Sequence, residues 1–341
     1  MTAHDLATTA QALVAPGKGI LAADESTATI EKRFAAIDVE STEENRCSYR
    51  EILFTTPGAG EFISGVILFD ETLRQSAADG RSFVEVLRGQ GIIPGIKVDK
   101  GAKPLAGAPG ETVTEGLDGL RDRLAEYYEL GARFTKWRAV IAIGDGIPGR
   151  HCIHANAEAL ARFAALSQEA GLVPIVEPEV LMDGDHSIER CAKVTETTLR
   201  TVFDALHLHR VSLEGMLLKP NMVLPGKDHD PRSSVEEVAE ASVRTLRRAV
   251  PAAVPGIVFL SGGQADEEAT AHLNAMNARA ASLPWQLSFS YGRALQAPPL
   301  KAWSGKAENA DAAKDALYRR AQLNGAARFG RYSPDMEKKV A

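Results

Sequence analysis

The sequence predicts an α/β fold, a single-domain (β/α)8 TIM barrel over residues 1–341, with a short N-terminal extension and a C-terminal tail from about 333 to 341. Three observations point there. Eight short apolar runs of β type alternate with helical patterns along the chain. The runs are nearly continuous in apolar residues, as strands of a parallel sheet covered on both faces are. Nearly every run ends in ionisable or hydroxyl side chains, and barrels build their sites at the C-terminal ends of their strands. A doubly wound open sheet is the competing reading. It would usually carry a G-x-G-x-x-G turn after its first strand, whereas GKGILAADES sets the glycines ahead of the run.

In chain order the strand runs are GILAAD (19–24), GVILFDE (65–71), GIKVD (95–99), FTKWRAVIA (134–142), VPIVEPEV (173–180), GMLLKPN (215–221), GIVFLSGG (256–263) and LSFSYGRAL (287–295). Amphipathic helices lie between them. Segment 157–170 is closed by Gly171, a usual residue just past a helix end. Leu199, Val202, Phe203 and Leu206 share one helical face. In 235–250 a capping box, Ser234 with Glu237, marks the start, and Pro251 follows the end.

Composition excludes several classes. Hydrophobic residues make up 45% and charged residues 25%, with a net charge of −6. That balance argues against a nucleic-acid surface built on bulk charge. No apolar run approaches the roughly 18 residues a membrane helix needs. MTAHDLATTAQALVAPGKG lacks a basic stretch followed by an apolar one, so no signal peptide is expected. The three cysteines, Cys47, Cys152 and Cys191, form no C-x-x-C pair. Reduced thiols and a cytoplasmic location are the expectation.

The strand-end charges carry the functional reading. They are Asp24, Asp70 with Glu71, Lys97 with Asp99, Lys136 with Arg138, Glu177 with Glu179, Lys219, Ser261 and Arg293. A spacing of two puts Lys97/Asp99, Lys136/Arg138, Glu177/Glu179 and Lys219/Asn221 each on one face of a strand. In a barrel that face can be the interior near the mouth. A cluster of mixed sign can hold an anionic substrate and shift individual pKa values in both directions.

Lys219 stands in the apolar run EGMLLKPNMV, and a lysine is almost never fully buried uncompensated. Burial and a neighbouring cation such as Lys136 both lower an amine's pKa, and Pro220 biases Lys219 to an extended backbone. This is the setting of a Schiff-base lysine acting on a carbonyl. Two other readings stay open at this point: a lysine snorkelling outward, or one permanently paired with Glu177 or Glu179. Glu177, Glu179 and Asp24 are the candidates to move protons, since crowded carboxylates tend to have raised pKa values.

Phosphate sites are expected at two places. FLSGGQ (259–264) and SYGRAL (290–295) end the last two runs, where barrels commonly grip phosphate with backbone N–H groups and a guanidinium. Near the first run, ESTATIEKR supplies Ser26, Thr29, Lys32 and Arg33 at an expected helix start, which favours anions. A plain Ser/Thr cap is the alternative there. Two sites imply a substrate with a phosphate at each end.

These stretches, with STEENR, PLAG, ETVTEGLDGL, DGDH and LKAWSGK in the same order, resemble class I fructose-1,6-bisphosphate aldolase from about Ala15 to Pro334. The resemblance implies a (β/α)8 barrel that cleaves fructose 1,6-bisphosphate reversibly to dihydroxyacetone phosphate and glyceraldehyde 3-phosphate, with no metal or other cofactor. It implies Lys219 as the Schiff-base residue and Glu177 as the main acid–base residue. Glu179 positions the lysine, and Asp24 and Lys136 assist C–C cleavage. Ser261, Gly262, Gly263, Ser290, Gly292 and Arg293 bind the ketose-side phosphate. Ser26, Thr29, Arg33 and Lys97 serve the other end, and Arg138 is a further substrate- or phosphate-binding residue. Partners are sugar phosphates, with neither nucleic acid nor membrane, and the chain is expected to form a homo-oligomer, a tetramer by resemblance. Two departures stand out. Ala28 replaces a glycine of the family's ESTGSIAKR. Animal members end in a tyrosine on a mobile tail, whereas this chain ends EKKVA, with Tyr332 upstream.

Three rivals are weighed. A metal-dependent aldolase would need converging His and carboxylate ligands, but the eight histidines are scattered. A binding scaffold that has lost catalysis would not need every ionisable group to be present. A transaldolase-like Schiff-base barrel would not need two phosphate loops.

Overall fold

A computed structural model describes residues 3–279 and 283–338. Eight parallel strands close into a barrel: β1 Gly19–Ala23, β2 Ile63–Leu68, β3 Ile93–Lys97, β4 Phe134–Ile141, β5 Val173–Val180, β6 Leu217–Leu218, β7 Gly256–Phe259 and β8 Gln286–Tyr291. Each lies between its neighbours in sequence, and β1 pairs with β8 to complete the circle. All eight expected strands are found, with shifted ends. Arg293 leaves the last of them: Gly292 caps a helix, Arg293–Trp303, that begins where the expected strand continued. The run 215–221 shrinks to two residues because Pro220 has no N–H to extend a ladder. Lys219 nevertheless stays extended, donating its N–H to the Val176 carbonyl at 2.8 Å. A small antiparallel hairpin, Ala102–Pro104 with Thr112–Thr114, was not expected; its strands, three residues each, are too short to leave a periodic signal.

The helices start and stop where local chemistry dictates. Ser234 and Glu237 form the capping box of the helix Val235–Ala249. The helix closed by Gly171 begins earlier than expected, at Arg150. Gly171 takes φ +77°, the left-handed conformation that ends such a helix.

Two apolar layers result. Helices and outward strand faces share the main core, with Phe34, Tyr49, Trp137 and Phe259 fully buried. A second cluster fills the barrel interior with Ile20, Ala22, Ile67, Phe134, Val173, Ile175, Leu217 and Val258. The N-terminal helix Ala3–Leu13 adds Leu6, Ala10 and Leu13, followed by Val14, and so plugs the end where the strands begin. The Ser64 hydroxyl donates to the Leu13 carbonyl at 2.5 Å.

Glycine makes room for this filling. Phe134 faces Gly95 across the β3–β4 ladder, and a Cβ on Gly95 would lie 2.3 Å from the ring. Gly95→Val is therefore expected to cost about 3 kcal/mol or more, the range for overpacking a filled core. The denaturant midpoint measures it, and an unchanged midpoint would show that the interior can yield.

The β1–β8 seam carries two register pairs, Ile20↔Ser290 and Leu21↔Tyr291. Arg328, beyond the last long helix (Ala310–Ala327), stitches it from outside. Its guanidinium donates to the carbonyls of Lys18 at 3.0 Å and Val14 at 2.9 Å, and also to that of Leu287 at the start of β8. Burial draws the Arg328 guanidinium down to about 10, still charged at neutral pH.

Candidate active site

Along each strand the interior residues change character. Val173 and Ile175 give way to Glu177 and Glu179, Phe134 to Lys136 and Arg138, Gly95 to Lys97, and Leu217 to Lys219. The period of two keeps each set on one face. The charged ends open into a cavity of about 1060 Å³ at the C-terminal mouth. It is lined by Asp24, Glu177, Glu179, Lys136 and Lys219, and by Ser26, Thr29, Arg33, Lys97, Arg138, Ser261, Gly262, Ser290, Gly292 and Arg293. Gly263 and Asn221 are not among the lining residues. Asn221 turns away: its side-chain oxygen accepts the Val180 N–H at 3.0 Å and its amide reaches Thr195. The shared-face expectation fails there because the strand has already ended. Glu71 likewise leaves the mouth, held by Arg46 at 2.6 Å.

A chain of opposite charges crosses the cavity floor. Asp24 Oδ2 lies 2.6 Å from Lys136 Nζ, Lys136 Nζ 3.3 Å from Glu177 Oε2, and Glu177 Oε1 3.3 Å from Lys219 Nζ. Both lysine side chains are only 4% exposed, so the carboxylates supply the compensation burial requires. The snorkelling reading of Lys219 is thereby overturned. Burial works to raise the Asp24 pKa, but Lys136, Lys219 and Lys97 outweigh it and hold the carboxyl well below the usual range. This corrects the expectation of a raised value, because the crowd around Asp24 is cationic. Lys136 mirrors it: burial pulls its pKa down, and Asp24, Glu177 and Asp99 push it up further. Lys136 is thus a fixed cation across Glu177 from Lys219. Glu177 Oε2 makes no hydrogen bond within the protein.

The next ring outward is also paired. Lys97 meets Asp99 at 2.7 Å, and Asp99 Oδ2 accepts the Arg138 N–H at 3.2 Å. Glu179 binds Arg138 rather than Lys219. The resemblance led to the other pairing, but here the arginine fork is the nearer cation.

The two motifs expected to hold phosphate come together at the ends of adjacent strands. Gly262 and Gly263 take φ +55° and +94°, left-handed values that turn the loop after β7 tightly. A Cβ on Gly263 would stand 3.3 Å from Arg293 Nη2, so the guanidinium lies directly against that loop. The Ser290 hydroxyl is buried without a hydrogen-bond partner. At the first strand, Ser26 occupies the cap position of the helix Thr27–Ala35 but makes no capping bond. Its hydroxyl pairs with that of Thr29 at 3.1 Å instead. The Thr29 and Ile30 N–H groups both turn back to the Ser26 carbonyl, at 2.8 and 2.9 Å.

Residues the sequence reading missed form the far wall: Lys100, Arg123 and Tyr127, with Arg74 tied to Asp70 at 3.0 Å and Glu126 at 2.7 Å. None follows a strand-end rule that could have found them, apart from Asp70. Among the described residues, no group of three or more His, Cys, Asp or Glu could hold a metal ion. Nor is any described helix long and apolar enough to cross a membrane. Tyr332 does not line the cavity; its hydroxyl binds Glu337 at 2.9 Å.

A family model described as "Glycolytic: Fructose-bisphosphate aldolase class-I" matches residues 5–341. The chain belongs to the class-I fructose-bisphosphate aldolase family. It is 61% identical over 333 residues to a "Probable fructose-bisphosphate aldolase class 1" of Xanthomonas campestris pv. campestris, covering 97% of this chain and 99% of that one. "Fructose-bisphosphate aldolase 4, cytosolic" of Arabidopsis thaliana is 57% identical, over 98% of this chain and 85% of the relative. The solved aldolase of Plasmodium falciparum, in complex with TRAP and a small-molecule inhibitor, superposes with a TM-score of 0.95 at 54% identity. That match covers 97% of this chain and 95% of the other. A class-I aldolase is a carbon–carbon lyase, and the barrel mouth described above is the aldolase's candidate active site.

Proposed function

We propose that this aldolase cleaves fructose 1,6-bisphosphate reversibly, in glycolysis and gluconeogenesis, through an imine between Lys219 and the substrate ketone. The observation that carries the assignment is the bridge Lys219–Glu177–Lys136 on the cavity floor. A neutral Lys219 Nζ attacks C2 of the open-chain sugar and forms a carbinolamine. Glu177 in its acid form gives a proton to the departing hydroxyl, which leaves as water, and an iminium remains. The iminium draws in the electron pair of the C3–C4 bond as the C4 hydroxyl loses its proton. That releases glyceraldehyde 3-phosphate and leaves an enamine. Protonation at C3 and return of water then free dihydroxyacetone phosphate and Lys219. Asp24, an obligate carboxylate, and Lys136, an obligate cation, support the charge that develops. Glu179 acts through Arg138.

Ser261, Gly262, Ser290, Gly292 and Arg293 hold the ketose-side phosphate, and Gly263 turns the loop that carries the first two. Ser26, Thr29, Arg33 and Lys97 hold the other. Arg293→Ala is expected to raise KM for phosphorylated sugars about 10- to 100-fold, the worth of a charge-assisted fork of hydrogen bonds. Initial-rate kinetics check it, and an unchanged KM would remove Arg293 from the site. The chain works as one domain with no cofactor, as a cytoplasmic homo-oligomer, a tetramer by resemblance, with no nucleic-acid or membrane partner. The test of the whole reading is an assay of triose phosphate release from fructose 1,6-bisphosphate in EDTA. Equal amounts of the two products are expected. Loss of activity in EDTA would favour a metal-dependent enzyme, and no cleavage at all would leave a binding scaffold.

A further inference from the structure

Beneath the first helix of the site lies a buried ionic triad outside the floor chain. Glu25 follows Asp24 at the end of β1, with its side chain 5% exposed. Arg33 from the helix Thr27–Ala35 binds Glu25 Oε1 from the cavity side and lines the cavity. From the opposite side Arg50, 3% exposed on the helix Glu43–Phe54, reaches Glu25 Oε2 at 2.6 Å. Gln296 donates to Oε1 at 2.7 Å and to the Ala22 carbonyl at 2.6 Å, which fixes the carboxylate to the strand. Burial opposes ionisation of Glu25, but Arg50 and then Arg33 prevail and lower its pKa. Arg50 is not a cavity-lining residue.

The charge balance is the informative point. One carboxylate against two guanidiniums leaves a net charge of +1. Without Arg50 the pair Glu25–Arg33 would be neutral, and Arg33 would face an incoming phosphate with its charge already spent. Arg33 is the more open member, its side chain 20% exposed. Its Nη2 stands 3.6 Å from where a Cβ on Gly292 would be, against the loop that carries Arg293. Arg50 has no such freedom: Tyr49 beside it stacks on Trp303 at 5.3 Å in the fully packed core.

We propose that Arg50 is a positioning residue for phosphate capture, neutralising Glu25 from the buried side so that Arg33 keeps its positive charge for the substrate's second phosphate. This rests on the assignment of Arg33 to that phosphate. A structural ion pair alone would need only one arginine. The second one turns the pair into a cationic unit with its excess charge on the solvent side. Glu25 then acts as a hinge that orients Arg33 between substrates without cancelling it.

The test compares KM for fructose 1,6-bisphosphate with KM for fructose 1-phosphate, which lacks the second phosphate. Arg50→Met takes the triad from +1 to zero and is expected to raise KM for the bisphosphate about tenfold, with kcat and the monophosphate KM within about twofold. Arg50→Lys keeps the charge and is expected to stay near the wild type. The double variant Glu25→Gln/Arg50→Met restores +1 and is expected to recover most of the affinity, which a purely structural role would not produce. Equal KM changes for both substrates, or a double variant as weak as Arg50→Met, would overturn the proposal. If Arg50→Met does not fold, Glu25→Gln is compared with the double variant: with no Glu25 charge to neutralise, Arg50 has nothing left to offset, so the two are expected to share one bisphosphate KM, and a double variant about tenfold weaker than Glu25→Gln would overturn the proposal. Arg33→Ala separates the two layers. If it leaves the bisphosphate KM unchanged, the phosphate assignment itself has failed. If it raises that KM while Arg50→Met does not, only the role of Arg50 has failed.

Discussion

Lys219→Ala is expected to abolish the adduct that borohydride traps with dihydroxyacetone phosphate and to lower kcat by at least about 10⁴-fold, as loss of a covalent nucleophile does. The magnitude follows from the geometry. Lys219 Nζ lies on the floor of a cavity with Glu177 at 3.3 Å. Lys136 is buried to the same extent, but Asp24 and Glu177 hold it protonated, and an ammonium has no lone pair to give. Stability is expected to change far less than activity, because Glu177 retains Lys136 as a counter-charge. Mass mapping of the reduced protein reads the result directly. An adduct that persists in the alanine variant would move the nucleophile elsewhere.

Glu177→Gln is expected to lower kcat about 10²- to 10⁴-fold, the usual contribution of a positioned acid–base group, with little change in KM. Glutamine keeps the size and can still accept a hydrogen bond, so substrate phosphates are gripped as before. It cannot pass a proton to the carbinolamine hydroxyl, and it no longer separates the charges of Lys136 and Lys219. Formation of the trapped adduct is therefore expected to slow along with turnover. A kcat within a few-fold of the wild type would assign the proton to another group. Asp24 is a poor substitute, since three lysines keep it ionised.

Much of this was legible in the sequence. Strand position and period gave the barrel. The change from apolar to charged residues along each run gave its mouth, because a parallel barrel has one interior and one open end. Strand ends were less legible. Gly292 caps a helix, and nothing local in LSFSYGRAL distinguishes that glycine from one inside a strand. Pairing was least legible. Glu179 could have met Lys219 or Arg138, and only the folded barrel shows that it is Arg138. Arg50 lies 25 residues from Glu25 with no periodic link between them, so its role emerges only when the fold brings the helix Glu43–Phe54 within reach of the residue that follows Asp24.

The stitch made by Arg328 bears on the order in which the molecule comes into being. A chain made from its N-terminus presents β1 and Asp24 first and Arg293 much later. The side chain that ties β1 to β8 emerges later still. While residue 328 is inside the ribosome the circle lacks this clasp, and the strands that lead to Asp24 and to Arg293, one on each side of the seam, are not tied together by it. A nascent chain is thus without this tie until synthesis is nearly over, and a chain truncated before Arg328 never gains it.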